Sequence, residues 1–119
     1  MSLDVYLKIE NRKCECGQNN INVDEEVFEA NITHNLTRMA SEAGIYKHLW
    51  RPEELNITKA KDLIKPLTDG LKDMKSRPDH YKKFNADNGW GVYNDFIPWI
   101  EKYLEACIEY PEATIYINR

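Results

Sequence analysis

Residues 3–9 of the chain read Leu-Asp-Val-Tyr-Leu-Lys-Ile, and every second residue is apolar. Successive side chains of a β-strand point to opposite faces, so this alternation predicts a strand with one buried face. A second alternating stretch, residues 113–117, closes the chain and places Ile115 and Ile117 on one face. The two terminal stretches are therefore predicted to be neighbouring strands of one small antiparallel sheet.

Between these strands the apolar period changes from two residues to three or four. Residues 26–32, Glu-Val-Phe-Glu-Ala-Asn-Ile, still predict a second strand. A helix is predicted to begin near Thr33, where Thr33 or Asn31 offers a capping oxygen, and to end at Gly44. A short helical turn is predicted over residues 45–50.

Two longer helices are predicted further along, because apolar residues recur there at helical spacing. The first covers residues 59–75, with Thr58 as its cap and a kink or a new start at Pro66. The second covers residues 94–110 and has Ile108 on its apolar face.

The predicted fold class is α+β. A small antiparallel sheet includes both terminal strands, and three to five helices pack on one of its faces. The 119 residues suffice for a single domain, residues 1–119, with one core. Residues 11–24 are polar and rich in turn-forming residues, so we predict a variable hairpin or loop insert there.

Charge and composition argue against several classes of protein. The net charge is −4, and aspartates interrupt the lysines of residues 59–83, so we expect no sequence-specific DNA binding. No apolar run is long enough to span a membrane, and the N-terminal stretch lacks the apolar region of a signal peptide. The three cysteines are an odd number, which favours a reducing compartment. We therefore expect a cytoplasmic protein without membrane contact, and its oligomeric state stays open.

Two short stretches concentrate hydrogen-bonding side chains. Residues 31–35 read Asn-Ile-Thr-His-Asn at the predicted helix start, and residues 88–91 read Asn-Gly-Trp-Gly in a predicted loop. Backbone amides at a helix start, with an arginine one turn further on, suit an anion or phosphate. A tryptophan between two glycines can stack on a base or fill a partner's pocket. The predicted ligand-binding residues, of which the last four are expected to converge on one concavity, are Asn31, Thr33, His34, Asn35, Arg38 and Trp90.

Both stretches also have a purely structural interpretation. The residues of the first stretch can cap the helix, with Arg38 paired to Glu42 and His34 packed against the sheet. The tryptophan of the second stretch can close the edge of the core, with its two glycines permitting the turn. The sequence leaves these alternatives open.

The cysteines and histidines do not form a recognisable metal or catalytic set. Cys14 and Cys16 are separated by one residue, whereas zinc sites use longer spacings and four ligands. Cys107 lies on an apolar helix stripe, where a thiol acts as a small hydrophobic group. No Gly-x-Ser-x-Gly or phosphate-loop motif occurs. We therefore assign no catalytic residue, no metal ligand and no cofactor.

Several motifs resemble those of a family of small proteins found in phage and prophage genomes. The clearest are residues 30–36 (Ala-Asn-Ile-Thr-His-Asn-Leu), 49–54 (Leu-Trp-Arg-Pro-Glu-Glu) and 88–91. The resemblance covers residues 1–10 and 27–119. It implies a phage source, and it does not by itself imply an activity. Small accessory phage proteins include counter-defence factors, regulators and minor enzymes.

Two functions of different classes are compatible with these observations. The first is a non-enzymatic phage-type binding protein, such as a counter-defence factor, that engages a nucleotide-like ligand or a host protein. The second is a small hydrolase or transferase that acts on a phosphorylated or nucleotide substrate, with His34 as general acid and base. The first is favoured because polar and aromatic residues cluster without a catalytic constellation.

Overall fold

Three strands form one antiparallel sheet in the computed structural model of the chain, which describes residues 2–11 and 23–119. The strands are β1 (Ser2–Asn11), β2 (Val23–Thr33) and β3 (Thr114–Asn118). The order is β2-β1-β3, so the N-terminal strand is central and pairs directly with the C-terminal one. The prediction that both terminal strands are neighbours is confirmed.

Five α-helices and two 3-10 turns lie between β2 and β3. The first 3-10 turn (His34–Leu36) runs directly into the first helix, and the second turn (Pro52–Leu55) follows the second helix. The helices are α1 (Thr37–Glu42), α2 (Tyr46–Trp50), α3 (Lys61–Ser76), α4 (Pro78–Lys82) and α5 (Tyr93–Glu109). The predicted α+β class is confirmed.

One face of the sheet carries the core. Leu3, Val5 and Leu7 of β1 are fully buried on this face, beneath the helices. Leu7 lies between Phe28 of β2 and Ile115 of β3 in the register of the sheet. The residues that alternate with them along β1 stay partly exposed on the opposite face. The alternating pattern of the first stretch therefore marks the buried face of the central strand.

The start of α3 differs from the prediction. The helix begins at Lys61, and Thr58 does not cap it. Instead, the backbone around Thr58 pairs with the end of the chain: Ile115 N donates to Thr58 O at 2.9 Å, and Ala60 N donates to Ala113 O at 2.9 Å. The backbone of residues 58–60 is therefore hydrogen-bonded to residues in and next to β3, and the helix starts only after it.

Prolines do not end the two long helices. α3 continues through Pro66 and α5 through Pro98, so the new start predicted as one possibility at Pro66 does not occur. A proline costs a helix at least one backbone hydrogen bond, and burial of Leu63 and Leu67 on either side offsets this loss. The placement of Ile108 on the buried face is wrong, because its side chain is 56 % exposed. Helix α5 makes its main contacts with α3 and with β2 of the sheet.

The predicted insert at residues 11–24 lies mostly outside the described residues, which omit 12–22. At its ends the strand pairing extends further than predicted, since β2 begins at Val23, opposite Asn11. Antiparallel backbone pairing does not require apolar side chains. The apolar alternation therefore underestimates the length of β2.

Two buried tyrosines allow a matched test of the core. Tyr103 is fully buried and stacks on Phe28 with 5.7 Å between ring centroids, and its hydroxyl has no hydrogen-bond partner among the described residues. Burial raises the pKa of Tyr103 well above its usual range. Tyr93 is 8 % exposed, and its hydroxyl donates to Met74 O at 2.8 Å.

Tyr103→Phe is expected to leave the free energy of unfolding unchanged or to raise it by up to about 1 kcal/mol, because a buried unpaired hydroxyl is removed. Tyr93→Phe is expected to lower it by about 1 kcal/mol, because a satisfied buried hydrogen bond is lost. Urea denaturation of the two variants measures both values. Equal losses in the two variants would contradict the absence of a partner for the Tyr103 hydroxyl.

His48 of α2 is expected to make stability depend on pH. Burial lowers the pKa of its imidazole, and the backbone at Gly44 partly opposes this shift. The folded state therefore favours neutral His48, whereas the unfolded chain binds the proton with a pKa of about 6.5. The contribution of His48 to stability is complete above the unfolded pKa and is lost as the pH falls below it.

Lowering the pH from about 7.5 to about 5.5 is thus expected to reduce the free energy of unfolding, and His48→Gln is expected to reduce this loss. Urea denaturation of both proteins at the two pH values measures it. The carboxyl groups of Asp73 and Glu53 have lowered pKa values, so their effect on the free energy of unfolding appears mainly at more acid pH. An unchanged pH dependence in His48→Gln would show that other groups cause it.

Candidate functional site

A concavity opens where the end of β2 meets the loop before α5. Its volume is about 580 Å³, within the usual range of roughly 300–1,000 Å³ for small-ligand sites. The hydrogen-bonding side chains that line it are Ser2, Asn31, Thr33, Asn35, Asn88 and Asp95. The indole rings of Trp90 and Trp99 also line it. This surface is called the Trp90 concavity below.

The loop that carries Trp90 is held on both sides of the indole. Asn35 Nδ2 donates to Trp90 O at 2.8 Å, and Trp90 N donates to Asn88 Oδ1 at 2.9 Å. Gly91 packs closely on the turn after β2, since a Cβ atom there would lie 2.9 Å from Asn35 Cβ and 3.3 Å from Thr33 Cγ2. The loop backbone is therefore fixed against the end of β2, while the Trp90 side chain remains 70 % exposed.

Trp99 and Asn31 join α5 to the end of β2. Trp99 Nε1 donates to Asn31 O at 3.0 Å. The Asn31 side chain donates from Nδ2 to Ser2 Oγ at 3.0 Å and to the Asp4 carboxylate. Asn31 is therefore a strand residue at the rim. Thr33 caps the 3-10 turn that precedes α1, and its hydroxyl accepts a hydrogen bond from Asn35 N at 3.2 Å.

The predicted ligand-binding residues divide into two groups. Asn35 and Trp90 are in contact, as expected, whereas His34 and Arg38 lie outside the Trp90 concavity. The predicted convergence is therefore correct for the first pair and wrong for the second. The four predicted residues that line the concavity are Asn31, Thr33, Asn35 and Trp90. Ligand binding by these residues stays a prediction.

His34 accepts the hydrogen bond of a buried indole N–H group. Trp50 is 1 % exposed, and its Nε1 donates to His34 Nδ1 at 2.8 Å. A neutral imidazole that accepts at Nδ1 carries its proton on Nε2. The His34 side chain therefore packs on Trp50 of α2, whereas the structural interpretation placed it against the sheet.

Arg38 lies on a separate, shallow concavity of about 270 Å³, beside Tyr46. The expected pair between Arg38 and Glu42 is not formed, and Arg38 has no ion-pair partner within residues 2–11 and 23–119. Glu42 instead faces His80 of α4, with 2.8 Å between Oε2 and Nε2. The helix start and the arginine therefore do not form one anion site.

The lining residues that were not predicted as ligand-binding residues include Ser2, Asp95 and Trp99. Asp95 and Trp99 are four residues apart on α5, so helical spacing places them on one face beside the Trp90 loop. That spacing is visible in the sequence and could have identified them. Ser2 lies opposite Thr33 only because of the register between β1 and β2, which the sequence did not define.

Three groups with shifted pKa values lie outside the concavity, and their shifts arise from hydrogen bonds and burial within the fold. Hydrogen bonds from Arg77, at 2.7 Å, and from the Tyr81 hydroxyl hold the pKa of the Asp73 carboxyl below its usual range. Burial and the nearby Asp73 raise the pKa of Tyr81 to about 12. Burial raises the pKa of the Cys107 thiol to about 12, so it stays protonated at neutral pH and is a poor nucleophile.

No protein-family model, curated protein or solved structure matches the chain. In the described part of the chain, no group of three or more histidine, cysteine or acidic residues could hold a metal ion, and Cys14 and Cys16 lie outside that part. None of the described helices is long and apolar enough to cross a membrane. The Trp90 concavity is therefore the feature of the molecule that points to a function.

Proposed function

We propose that this protein is a phage-type, non-enzymatic binding protein that acts in the host cytoplasm as a counter-defence factor. It engages a nucleotide-like ligand or a host protein at the Trp90 concavity. The observation that carries the proposal is an exposed indole on a fixed backbone. Trp90 is 70 % exposed although Asn35 and Gly91 hold its loop in place.

An indole held in this way is suited to binding. Its loop loses little conformational freedom when a partner arrives, and this lowers the entropic cost of association. An exposed tryptophan can stack on a base or enter a pocket of another protein. Its exposure argues against the alternative in which Trp90 closes the edge of the core.

The hydrolase or transferase alternative has less support. Its proposed general acid and base, His34, does not line the Trp90 concavity. The Nδ1 atom of His34 accepts the hydrogen bond of Trp50, so only Nε2 is left for proton transfer. A binder returns its ligand unchanged after denaturation, whereas an enzyme returns a product.

Nuclear magnetic resonance tests the binding function directly. The chain has three tryptophans, which give three indole N–H signals that Trp→Phe variants assign. The indole nitrogens of Trp50 and Trp99 donate hydrogen bonds inside the protein. We expect adenosine, adenosine monophosphate or N-acetyl-arginine amide to shift the Trp90 signal in a saturable manner.

Trp90→Ala is expected to abolish this binding. Because the variant lacks the Trp90 signal, binding is followed at the Trp99 signal. The melting temperature is expected to change little, because the Trp90 side chain is mostly exposed. The ligand recovered after denaturation is expected to have an unchanged mass. The proposal fails if none of the three compounds shifts the Trp90 signal at millimolar concentration. It also fails if binding persists in Trp90→Ala, or if a product is recovered.

A further inference from the structure

We infer that the Trp90 concavity receives a guanidinium group, presented as an arginine side chain of a partner protein. This inference rests on the proposed binding function and selects its occupant. It follows from the charge of the lining, from the hydrogen-bonding groups that remain available, and from the flat exposed face of Trp90.

The charge of the lining is negative. Among the described residues that line the concavity, Asp95 is the only one with a charged side chain, and no lysine or arginine lies there. Within residues 2–11 and 23–119, the Asp95 side chain has neither an ion pair nor a hydrogen bond. Asp95 lies in the first turn of α5, where the positive end of the helix partly offsets its charge, and the remaining negative charge favours a cation over a phosphate. The net charge of the whole chain, −4, has the same sign.

Two amide oxygens of the lining, those of Asn31 and Asn35, remain available as acceptors. Asn31 uses its side-chain N–H groups on Ser2 and on the Asp4 carboxylate. Asn35 uses Nδ2 on the carbonyl of Trp90. Because the partners are acceptors, the amide orientations follow from chemistry, and both Oδ1 atoms are left to accept. Together with the Asp95 carboxylate, these two oxygens can accept hydrogen bonds from a ligand that donates.

A guanidinium group matches these features together. It is flat and always charged, and it has five N–H donors and no acceptor. It stacks on an indole face while its edge donates to a carboxylate, which a compact ammonium cannot do in the same way. A phosphate has acceptors only and would meet Asp95 without a compensating cation. The chemistry therefore favours an arginine of a partner protein over a nucleotide.

The test compares matched compounds on the Trp90 indole signal. N-acetyl-arginine amide is the ligand, and N-acetyl-citrulline amide is its uncharged counterpart of similar shape. N-acetyl-lysine amide supplies charge without the flat group, and adenosine monophosphate supplies a base with phosphate. We expect the arginine compound to bind at least several-fold more tightly than each of the others.

Two variants show whether the charge of Asp95 itself, and not negative charge nearby, is needed for binding. Asp95→Asn is expected to weaken binding of the arginine compound about tenfold or more, the size of one charge-assisted hydrogen bond. Asp87→Asn removes an exposed carboxylate from the loop that carries Trp90, outside the concavity. This control is expected to leave the affinity within about twofold, because exposed charges interact weakly.

Each outcome separates the two proposals. If adenosine monophosphate shifts the Trp90 signal and the arginine compound does not, the guanidinium inference is wrong and the binding function stands. If citrulline amide or lysine amide binds as tightly as arginine amide, or Asp95→Asn has no effect, the guanidinium inference is also wrong. If no compound shifts the Trp90 signal, both proposals fail.

Discussion

Leu7→Asp is expected to lower the free energy of unfolding by about 3 kcal/mol or more, which removes much of the stability of an ordinary domain. Leu7 is fully buried in the central strand, between Phe28 and Ile115. The substitution loses apolar burial and places a carboxyl group where no water reaches it. Urea denaturation followed by circular dichroism measures the change, or shows that the variant does not fold.

Leu55→Asp is the matched control for this prediction. Leu55 lies at the end of a 3-10 turn and is 37 % exposed. The same chemical change there is expected to cost about 1 kcal/mol or less, because the carboxylate remains hydrated. Ile115→Asp is expected to fall between the two, since Ile115 is only half-buried. A loss in Leu7→Asp no larger than in Leu55→Asp would contradict the central position of β1.

Gly91→Ala is expected to displace the Trp90 loop, with a loss of about 2 kcal/mol or more in stability and a loss of ligand binding. Gly91 has φ +114°, a conformation that side chains rarely adopt, and an added Cβ would meet Asn35 Cβ at 2.9 Å. Asn35 is held by the loop itself, so relief requires the loop to move. Urea denaturation and the Trp90 indole signal report the two effects.

Gly89→Ala is the matched control in the same loop. Gly89 has φ +79°, but an added Cβ there meets nothing within 4 Å. Only backbone strain remains, with an expected cost of about 1 kcal/mol and a Trp90 signal close to that of the original protein. If both glycine variants behave alike, the close approach of Gly91 to Asn35 does not hold the loop.

The sequence was sufficient for the fold class because the period of apolar residues is a local property. Alternation over residues 3–9 identified the buried face of β1, and helical spacing identified α3 and α5. Spacing was less informative at the ends of elements. Thr58 is a reasonable helix cap in isolation, but its carbonyl accepts a hydrogen bond from Ile115, a residue 57 positions later.

The candidate site was only partly predictable for the same reason. The sequence identified Asn35 and Trp90 as polar and aromatic candidates, and tertiary packing brought them together through a 2.8 Å hydrogen bond. Residues close to Asn35 in the chain nevertheless lie outside the Trp90 concavity. His34 points to Trp50, and Arg38 lies on another concavity. Helical spacing fixes the relative directions of side chains, but packing decides which direction faces the site.

The sequence by itself determined which stretches are strands and helices and which strand face is buried, because these depend on residues close together in the chain. The tertiary structure decided the strand register, the start of α3 and the composition of the Trp90 concavity. It also decided the charge of that concavity, by bringing Asp95 to it and leaving Arg38 outside. These features depend on contacts between distant residues, which local patterns alone do not determine.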